Sequence, residues 1–347
     1  MNLDSISRFS LTFLPTPLDE APRLAAKIGL RKLLIKRDDC TTLAMGGNKA
    51  RKLEYLIADA LASQADVIMT DGGPQSNHAR LTAAAARKAG IERCILYLGG
   101  PRFDRFHGNL LLDVVFGAEI RFIEDATVAQ MEDAMNAEAD SLRRAGAKPY
   151  VIPIGGSTGI GALGYVRAMR ELAEQLGSED QAPLVFVAVG SAGTIAGCRL
   201  GARLYLPGAD VIGISVSRKA RPLREIAARV ANDSARLLEV GEQFAPDDFI
   251  IYDEYYGERY GVPTEAGNKA LIWAARAEGL VLDPVYTAKA MSGLIDLASE
   301  GKIDRERTAV FVHTGGSPAL MAFEDQFRSQ ARFTIVEPQT SSEHPNS

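Results

Sequence analysis

Short apolar runs that are continuous, not alternating, recur along this chain, separated by longer Ala- and Leu-rich stretches of helical period. A strand with one face in water alternates apolar and polar residues, whereas a strand covered on both faces is apolar throughout. The pattern therefore predicts parallel sheets sandwiched between helices, an α/β fold of three-layer units. Strands are expected at 32–36, 66–70, 93–98, 119–123, 150–153, 184–189, 210–216, 247–252 and 308–313. Helices are expected near 49–63, 76–89, 107–116, 127–145, 161–177, 194–205, 264–278 and 287–299. A chain of 347 residues exceeds what one ordinary core serves, so two sheets sharing a cleft are expected. The strand-rich segments fall into two groups about 153–164, predicting a small domain at 50–164 and a large one from 1–49 and 165–332. The polar, proline-containing end, 333–347, is expected to be a flexible tail.

Several function classes lose support at once. The formal charge is −5 with acids and bases mixed and no basic block, which argues against a nucleic-acid partner. No stretch of about 20 apolar residues offers a membrane span. The opening MNLDSISRFSLTFLPTPLDE has neither the basic start nor the apolar core of a signal peptide. Cys40, Cys94 and Cys198 stand far apart without a CxxC, too few for a disulfide framework or a metal cluster. They read as small buried residues, Trp273 reads as core, and the expected address is the cytoplasm.

In open α/β sheets, ligands bind beyond the carboxyl ends of the strands. Four segments rich in Gly, Ser, Thr or Asn follow predicted strands there: DGGPQSNH (71–78), IGGSTGIGALG (154–164), GSAGTIAG (190–197) and HTGGSPAL (313–320). Their convergence points to an anionic small molecule. In GSAGTIAG, small residues let backbone N–H groups aim at one centre, and Ser191 and Thr194 add hydroxyls, which suits a phosphate as well as a close-packed turn. Ser76, Asn77 and His78 stand at a helix start able to hold a carboxylate, or simply to cap the helix. In MGGNKARKLEYL (45–56), Lys49 opens a helix beside Arg51 and Lys52. Burial, cationic neighbours and the helix dipole all favour the neutral amine that condenses with an aldehyde, although a basic surface turn would look the same. Gly159, Gly161 and Gly164 spell GxGxxG, the dinucleotide fingerprint, but no acidic residue ends a strand about 20 positions on.

Taken together, RDDCTTLAMGGNKARKLEYL, GGPQSNHARLTAAAA, KPYVIPIGGSTGIGALGY, EYYGERYGVPTEAG, EGLVLDPVYTAKAMSGLI and VFVHTGGSPAL resemble the aminocyclopropane-carboxylate deaminase and D-cysteine desulfhydrase family. That family belongs to the tryptophan-synthase-β-like pyridoxal enzymes, and the likeness runs from about Leu14 to Phe323. The stretch 99–110 is shorter than in many members. The resemblance implies two parallel-sheet domains with the active site in the cleft between them, pyridoxal 5′-phosphate as cofactor, and a homodimer. By resemblance Lys49 carries the cofactor as a Schiff base, Asn77 bonds its phenolic oxygen, and Ser76 faces the substrate. Ser191, Ala192, Gly193 and Thr194 cradle the phosphate with help from Lys52, and Tyr260 and Tyr286 match two active-site tyrosines. The run 159–164 becomes a segment joining the domains.

Deaminases carry Glu directly after the DPVY tyrosine and Leu in the HLGG turn, where this chain has Thr287 and Thr314 as desulfhydrases do. A carboxylate keeps the pyridine nitrogen protonated and makes a strong electron sink; a threonine leaves a weaker one. Opening a cyclopropane needs the strong sink, but expelling a thiolate from the β-carbon does not. The resemblance thus implies α,β-elimination from a small amino acid, D-cysteine giving pyruvate, sulfide and ammonia. Either Lys49 or Tyr286, its pKa lowered by nearby cations, serves as base. An L-cysteate sulfo-lyase is the nearest alternative. Others are an aminocyclopropane-carboxylate deaminase, a nicotinamide dehydrogenase using 159–164, and a non-catalytic amino-acid-binding protein.

Overall fold

In the computed structural model, which describes residues 3–180, 182–330 and 332, the chain builds two separate sheets. In chain order the elements are β1 (Leu18–Glu20), α1 (Pro22–Ile28), β2 (Leu33–Lys36), α2 (Lys49–Ala62), β3 (Val67–Gly72), α3 (Asn77–Lys88) and β4 (Arg93–Gly100). There follow α4 (Gly108–Val115), β5 (Glu119–Glu124), α5 (Val128–Arg144), β6 (Pro149–Ile152), α6 (Gly159–Gln175), β7 (Leu184–Val189) and α7 (Gly193–Tyr205). The rest comprises β8 (Asp210–Ser215), α8 (Ala220–Leu238), β9 (Ile250–Tyr252), α9 (Glu265–Glu278), α10 (Thr287–Ser299), β10 (Ala309–Val312) and α11 (Ser317–Leu320). Six strands run in the order β1-β2-β10-β7-β8-β9 and four in the order β5-β4-β3-β6. All neighbours are parallel except β1 against β2. The expected tail, 333–347, lies outside the described residues.

Strand β7 shows why its sequence is apolar throughout. Val185, Val187 and Val189 enter a core shared with α6, α7 and α8, while Leu184, Phe186 and Ala188 enter another shared with α1, α9 and α10. The small sheet repeats the arrangement: Ile68 joins α2, α3 and α4 on one side, and Val67 and Met69 join α5 on the other.

Three glycines of the GxGxxG run serve helix contacts. A Cβ on Gly164 would stand 2.4 Å from the Arg51 carbonyl oxygen, one on Gly159 would stand 2.6 Å from the Asp233 Cβ, and one on Gly161 would stand 2.4 Å from the Gly156 carbonyl oxygen. The glycines let α6 approach α2, α8 and its own leading turn.

Some elements escaped the sequence. The 19-residue α8 was not expected, because Pro222 and the run Asn232, Asp233, Ser234 look like breakers. Pro222 falls in the first turn, where no N–H partner exists to lose, and Ser234 donates to the Val230 carbonyl inside the helix. Strand β1 and helices α1 and α11 were also missed, and the strand expected at 247–252 begins only at Ile250, after a short turn at Pro246–Asp248. Cys94 and Cys198 are buried, but Cys40 is only half-buried, and Trp273 is half-buried beneath Lys27 and Lys269.

A buried ion cluster fastens α2 to the large sheet. Arg51 donates to both oxygens of Asp38 (3.0 and 2.8 Å) and both of Glu171 (2.9 Å each), and Lys36 also reaches Glu171. Asp38, Arg51 and Lys36 are all 2% exposed or less. Burial pushes the Glu171 carboxyl up, but Arg51 and Lys36 outweigh it and hold it at about 2.

Candidate active site

Strands β3, β6, β7 and β10 all deliver their following loops to one place, and all four Gly-rich segments meet there. They enclose a cavity of about 200 Å³ lined by Lys49, Gly72, Gly73, Ser76, Asn77, His78, Ile154, Gly155, Gly190, Ser191, Tyr260, Tyr286 and Thr314, among others. Gly99, Ala126, Val128 and Met131 supply an apolar wall from the small sheet. Among the described residues, no carboxylate lines it.

The first turn of α2 sorts its three cations by helical geometry. Lys49 and Lys52, three residues apart, share a face. Arg51 points the other way, into the Asp38–Glu171 cluster. Burial lowers the Lys49 amine to about 8. The cationic help expected from Arg51 is absent because two carboxylates neutralise that guanidinium. Among the described residues, the Lys49 amine has no hydrogen-bond or carboxylate partner. Lys52 is fully buried, donates to the Gly155 carbonyl at 3.0 Å, and is held well below its ordinary value by burial and by Lys49.

Lys49 also borders a smaller hollow formed by 188–192, Thr194 and Ile195, at the start of α7. Ala192 caps α7 in the left-handed region at φ 65°, which turns the loop back on itself. A Cβ on Gly193 would stand 2.6 Å from both the Lys52 Nζ and the Ser157 Oγ. Ser157 donates to the Ser191 Oγ at 2.8 Å and accepts from the Gly193 N–H at 3.1 Å; Asn48 donates to the Thr194 Oγ1 at 3.0 Å. The buried Lys52 and half-buried Lys49 amines, which meet no counter-anion among the described residues, a helix N-terminus and a hydroxyl-rich turn fit a phosphate group, and Lys49 fits an aldehyde. Ser157 and Asn48 were missed by sequence reasoning, though both lie within quoted motifs. Gly193→Ala would fill the cradle and is expected to weaken pyridoxal phosphate binding by roughly tenfold to a hundredfold, read by titrating the cofactor-free protein.

At the head of α3, Ser76 accepts from the Ala79 N–H at 3.2 Å, leaving its own proton free. The amides of Asn77 and His78, first in the helix, have no carbonyl to reach within it and suit an anion. The Asn77 Oδ1 accepts from Asn109 Nδ2 at 2.8 Å and from Arg80 Nη2 at 3.4 Å, so its Nδ2 is left for the cavity. Thr70 donates to the Ile152 carbonyl, so its hydroxyl oxygen accepts from His78 Nε2 at 2.9 Å. The His78 Nδ1 is then a buried acceptor without a partner, and burial with Lys49 and Lys52 keeps the ring neutral. The ring has no proton for a substrate carboxylate, so His78 can contribute only its backbone amide.

Two further expectations change. Tyr286 shares a hydrogen bond with Tyr260, and burial and that neighbour push its hydroxyl well above the usual tyrosine range, opposite to the lowering expected from cations. Thr314 lines the cavity, but Thr287 does not. The Thr287 hydroxyl donates to Asp283 Oδ1 at 2.7 Å and accepts from the Asp283 N–H at 2.7 Å, while the Asp283 carboxylate caps α10. Arg218 and Ser217 also line the cavity, and no sequence signal marked them.

A family model described as pyridoxal-phosphate-dependent enzyme matches residues 9–315. The chain belongs to the pyridoxal-phosphate-dependent enzymes. It is 42% identical over 329 residues to a D-cysteine desulfhydrase of Klebsiella pneumoniae subsp. pneumoniae, covering 93% of this chain and 98% of that one. A crystal structure of an ACC deaminase homologue superposes with a TM-score of 0.87 at 38% identity, covering 95% of this chain and 98% of that one. A fungal L-serine ammonia-lyase from Rhizomucor miehei gives a TM-score of 0.66 at 16% identity, covering 92% and 99%, a likeness of fold alone. This pyridoxal-phosphate-dependent enzyme thus has the two-sheet α/β architecture its sequence implied.

Proposed function

We propose that the enzyme catalyses α,β-elimination from D-cysteine, consuming water and releasing pyruvate, sulfide and ammonia. The observation that carries this reading is a cavity wall that, among the described residues, holds no carboxylate. Thr314, which lines the cavity, would be the residue to meet a ring nitrogen, and a hydroxyl cannot keep that nitrogen protonated. The resulting weak electron sink suffices when a good leaving group sits on the β-carbon. The 42% identity to a D-cysteine desulfhydrase supports the same choice.

Pyridoxal phosphate, held by Lys49 with Ser191, Ala192, Gly193, Thr194 and Lys52 around its phosphate, supplies a reactive carbonyl and a conjugated ring that takes up electrons. Asn77, its Oδ1 already engaged, would offer its Nδ2 to the phenolic oxygen. The backbone amides of Asn77 and His78 and the Ser76 hydroxyl orient the substrate carboxylate. Lys49, as a neutral amine, would take the α-proton of the substrate. The Tyr260–Tyr286 pair, whose hydroxyls are held above the usual tyrosine range, would donate to the departing sulfur.

A second reading, L-cysteate sulfo-lyase, is favoured by Arg218, whose cation on the cavity wall suits a sulfonate. Assaying D-cysteine, L-cysteate and aminocyclopropane carboxylate side by side separates the two readings. Sulfide from D-cysteine at the highest kcat/KM is the expected result. Sulfite from L-cysteate would select the second reading, and ketobutyrate would overturn the argument from the wall.

The proposal extends to the domain division at 50–164, to a cytoplasmic address supported by three unpaired cysteines, and to a homodimer. Among the described residues, no helix is long and apolar enough to cross a membrane. On α4, Leu111, Val114 and Val115 are exposed, Phe106 is exposed just ahead, and Met321 follows α11, which contacts α4. Such a patch suits a second copy of the chain. Val115→Asp is expected to shift the sedimenting species from dimer to monomer.

A further inference from the structure

We infer that Arg80 is a positioning residue, a buried clamp that holds the loop before Lys49 and decides which end of the Asn77 amide faces the cavity. The inference rests on the proposed roles of Lys49 and Asn77. Arg80 is 0% exposed. Its guanidinium donates to the carbonyls of Ala44 and Gly46 (the latter at 3.0 Å), to Asn109 Oδ1 at 3.0 Å and to Asn77 Oδ1 at 3.4 Å. A buried arginine ordinarily meets a carboxylate. Asp113 lies near enough to act on its charge, yet both Asp113 oxygens are buried without a hydrogen bond, and the arginine's donors go to neutral oxygens. The fork is used for shape more than for charge.

What it shapes is specific. Thr42, Ala44 and Met45 have φ of 70°, 45° and 69°, followed by Gly46 at 71° and Gly47 at 130°, a left-handed path that side chains other than glycine resist. Two of the carbonyls on that path are anchored by Arg80, and the path ends at Lys49. The same guanidinium and Asn109 Nδ2 converge on one oxygen of Asn77. An amide with both donors on Oδ1 cannot flip without facing N–H against N–H. Asn77 therefore presents Nδ2 to whatever Lys49 holds. Lysine in place of Arg80 cannot span these acceptors, because an ammonium lacks the planar fork.

The test uses the full chain stripped of cofactor and equilibrium dialysis with two probes, pyridoxal phosphate and its 3-deoxy analogue, which lacks the phenolic oxygen. Arg80→Lys is expected to weaken both probes through the freed loop, and pyridoxal phosphate about tenfold more than the analogue, which has no oxygen for Asn77 to meet. Asn109→Ala, which removes the second donor and leaves the loop contacts, is expected to give the same discrimination at smaller size. Equal loss for both probes would make Arg80 merely structural, and no loss for either would remove it from the site; both results overturn the inference. If the unaltered chain itself binds the two probes equally, the role proposed for Asn77 fails, and the clamp with it.

Discussion

Lys49→Ala is expected to reduce sulfide release from D-cysteine by roughly 10⁴-fold or more, because one substitution removes both the group that holds the cofactor and the base that takes the α-proton. The protein should remain folded. Among the described residues nothing hydrogen-bonds to the Lys49 amine, and its neighbours Ala50 and Leu53 carry the core contacts of α2. Its circular dichroism spectrum and melting temperature should match those of the unaltered protein stripped of cofactor. A folded Lys49→Ala protein that retains more than about a tenth of the activity would move the base and the anchor elsewhere. Tyr286 then becomes the alternative, although its raised pKa argues against a phenolate at neutral pH.

Arg51→Met is expected to act on stability. It leaves Asp38 and Glu171 as buried carboxylates without their cation, a loss of about 3–5 kcal/mol. The measurement is the midpoint of urea unfolding followed at several pH values. In the unaltered enzyme the folded-state value of Glu171 is about 2, below its ordinary 4.5. A depressed carboxyl stabilises the fold fully above the ordinary value, and that contribution is lost as pH falls from about 4.5 toward 2. The variant lacks the main cause of the depression, so its midpoint should be lower at neutral pH and should change less across that acid window. Equal midpoints at pH 7 would show that Arg51 contributes no net stability.

The contrast between these neighbours marks how far sequence reaches. MGGNKARKL singles out Lys49 as a candidate because condensation with an aldehyde demands a lysine whose amine is easily deprotonated, and the motif offers one at a helix start. It could not say that Arg51 faces away, since its partners Asp38 and Glu171 lie 13 and 120 residues off in sequence. The strands were legible because burial on both faces writes itself into every residue, as in LVFVAV. Helix α8 was not, because Pro222 is a breaker in an interior and harmless in a first turn. Thr287 shows the same limit at the site. Its position after Tyr286 marked it as a cofactor contact, but a hydroxyl takes the nearest good acceptor, and Asp283 stands four residues away on the same turn. Arg218 carried no local signal at all. It reaches the cavity because parallel β8 sets its following loop beside that of β7.

The central claim is that one amine holds the cofactor. Borohydride reduction of the purified holoenzyme makes the carbonyl-to-lysine linkage permanent, and digestion with mass spectrometry then locates it. The account predicts a single modified peptide containing the pyridoxyl group on Lys49. The same group on Lys52, Lys289 or any other lysine, with Lys49 unmodified, would contradict it.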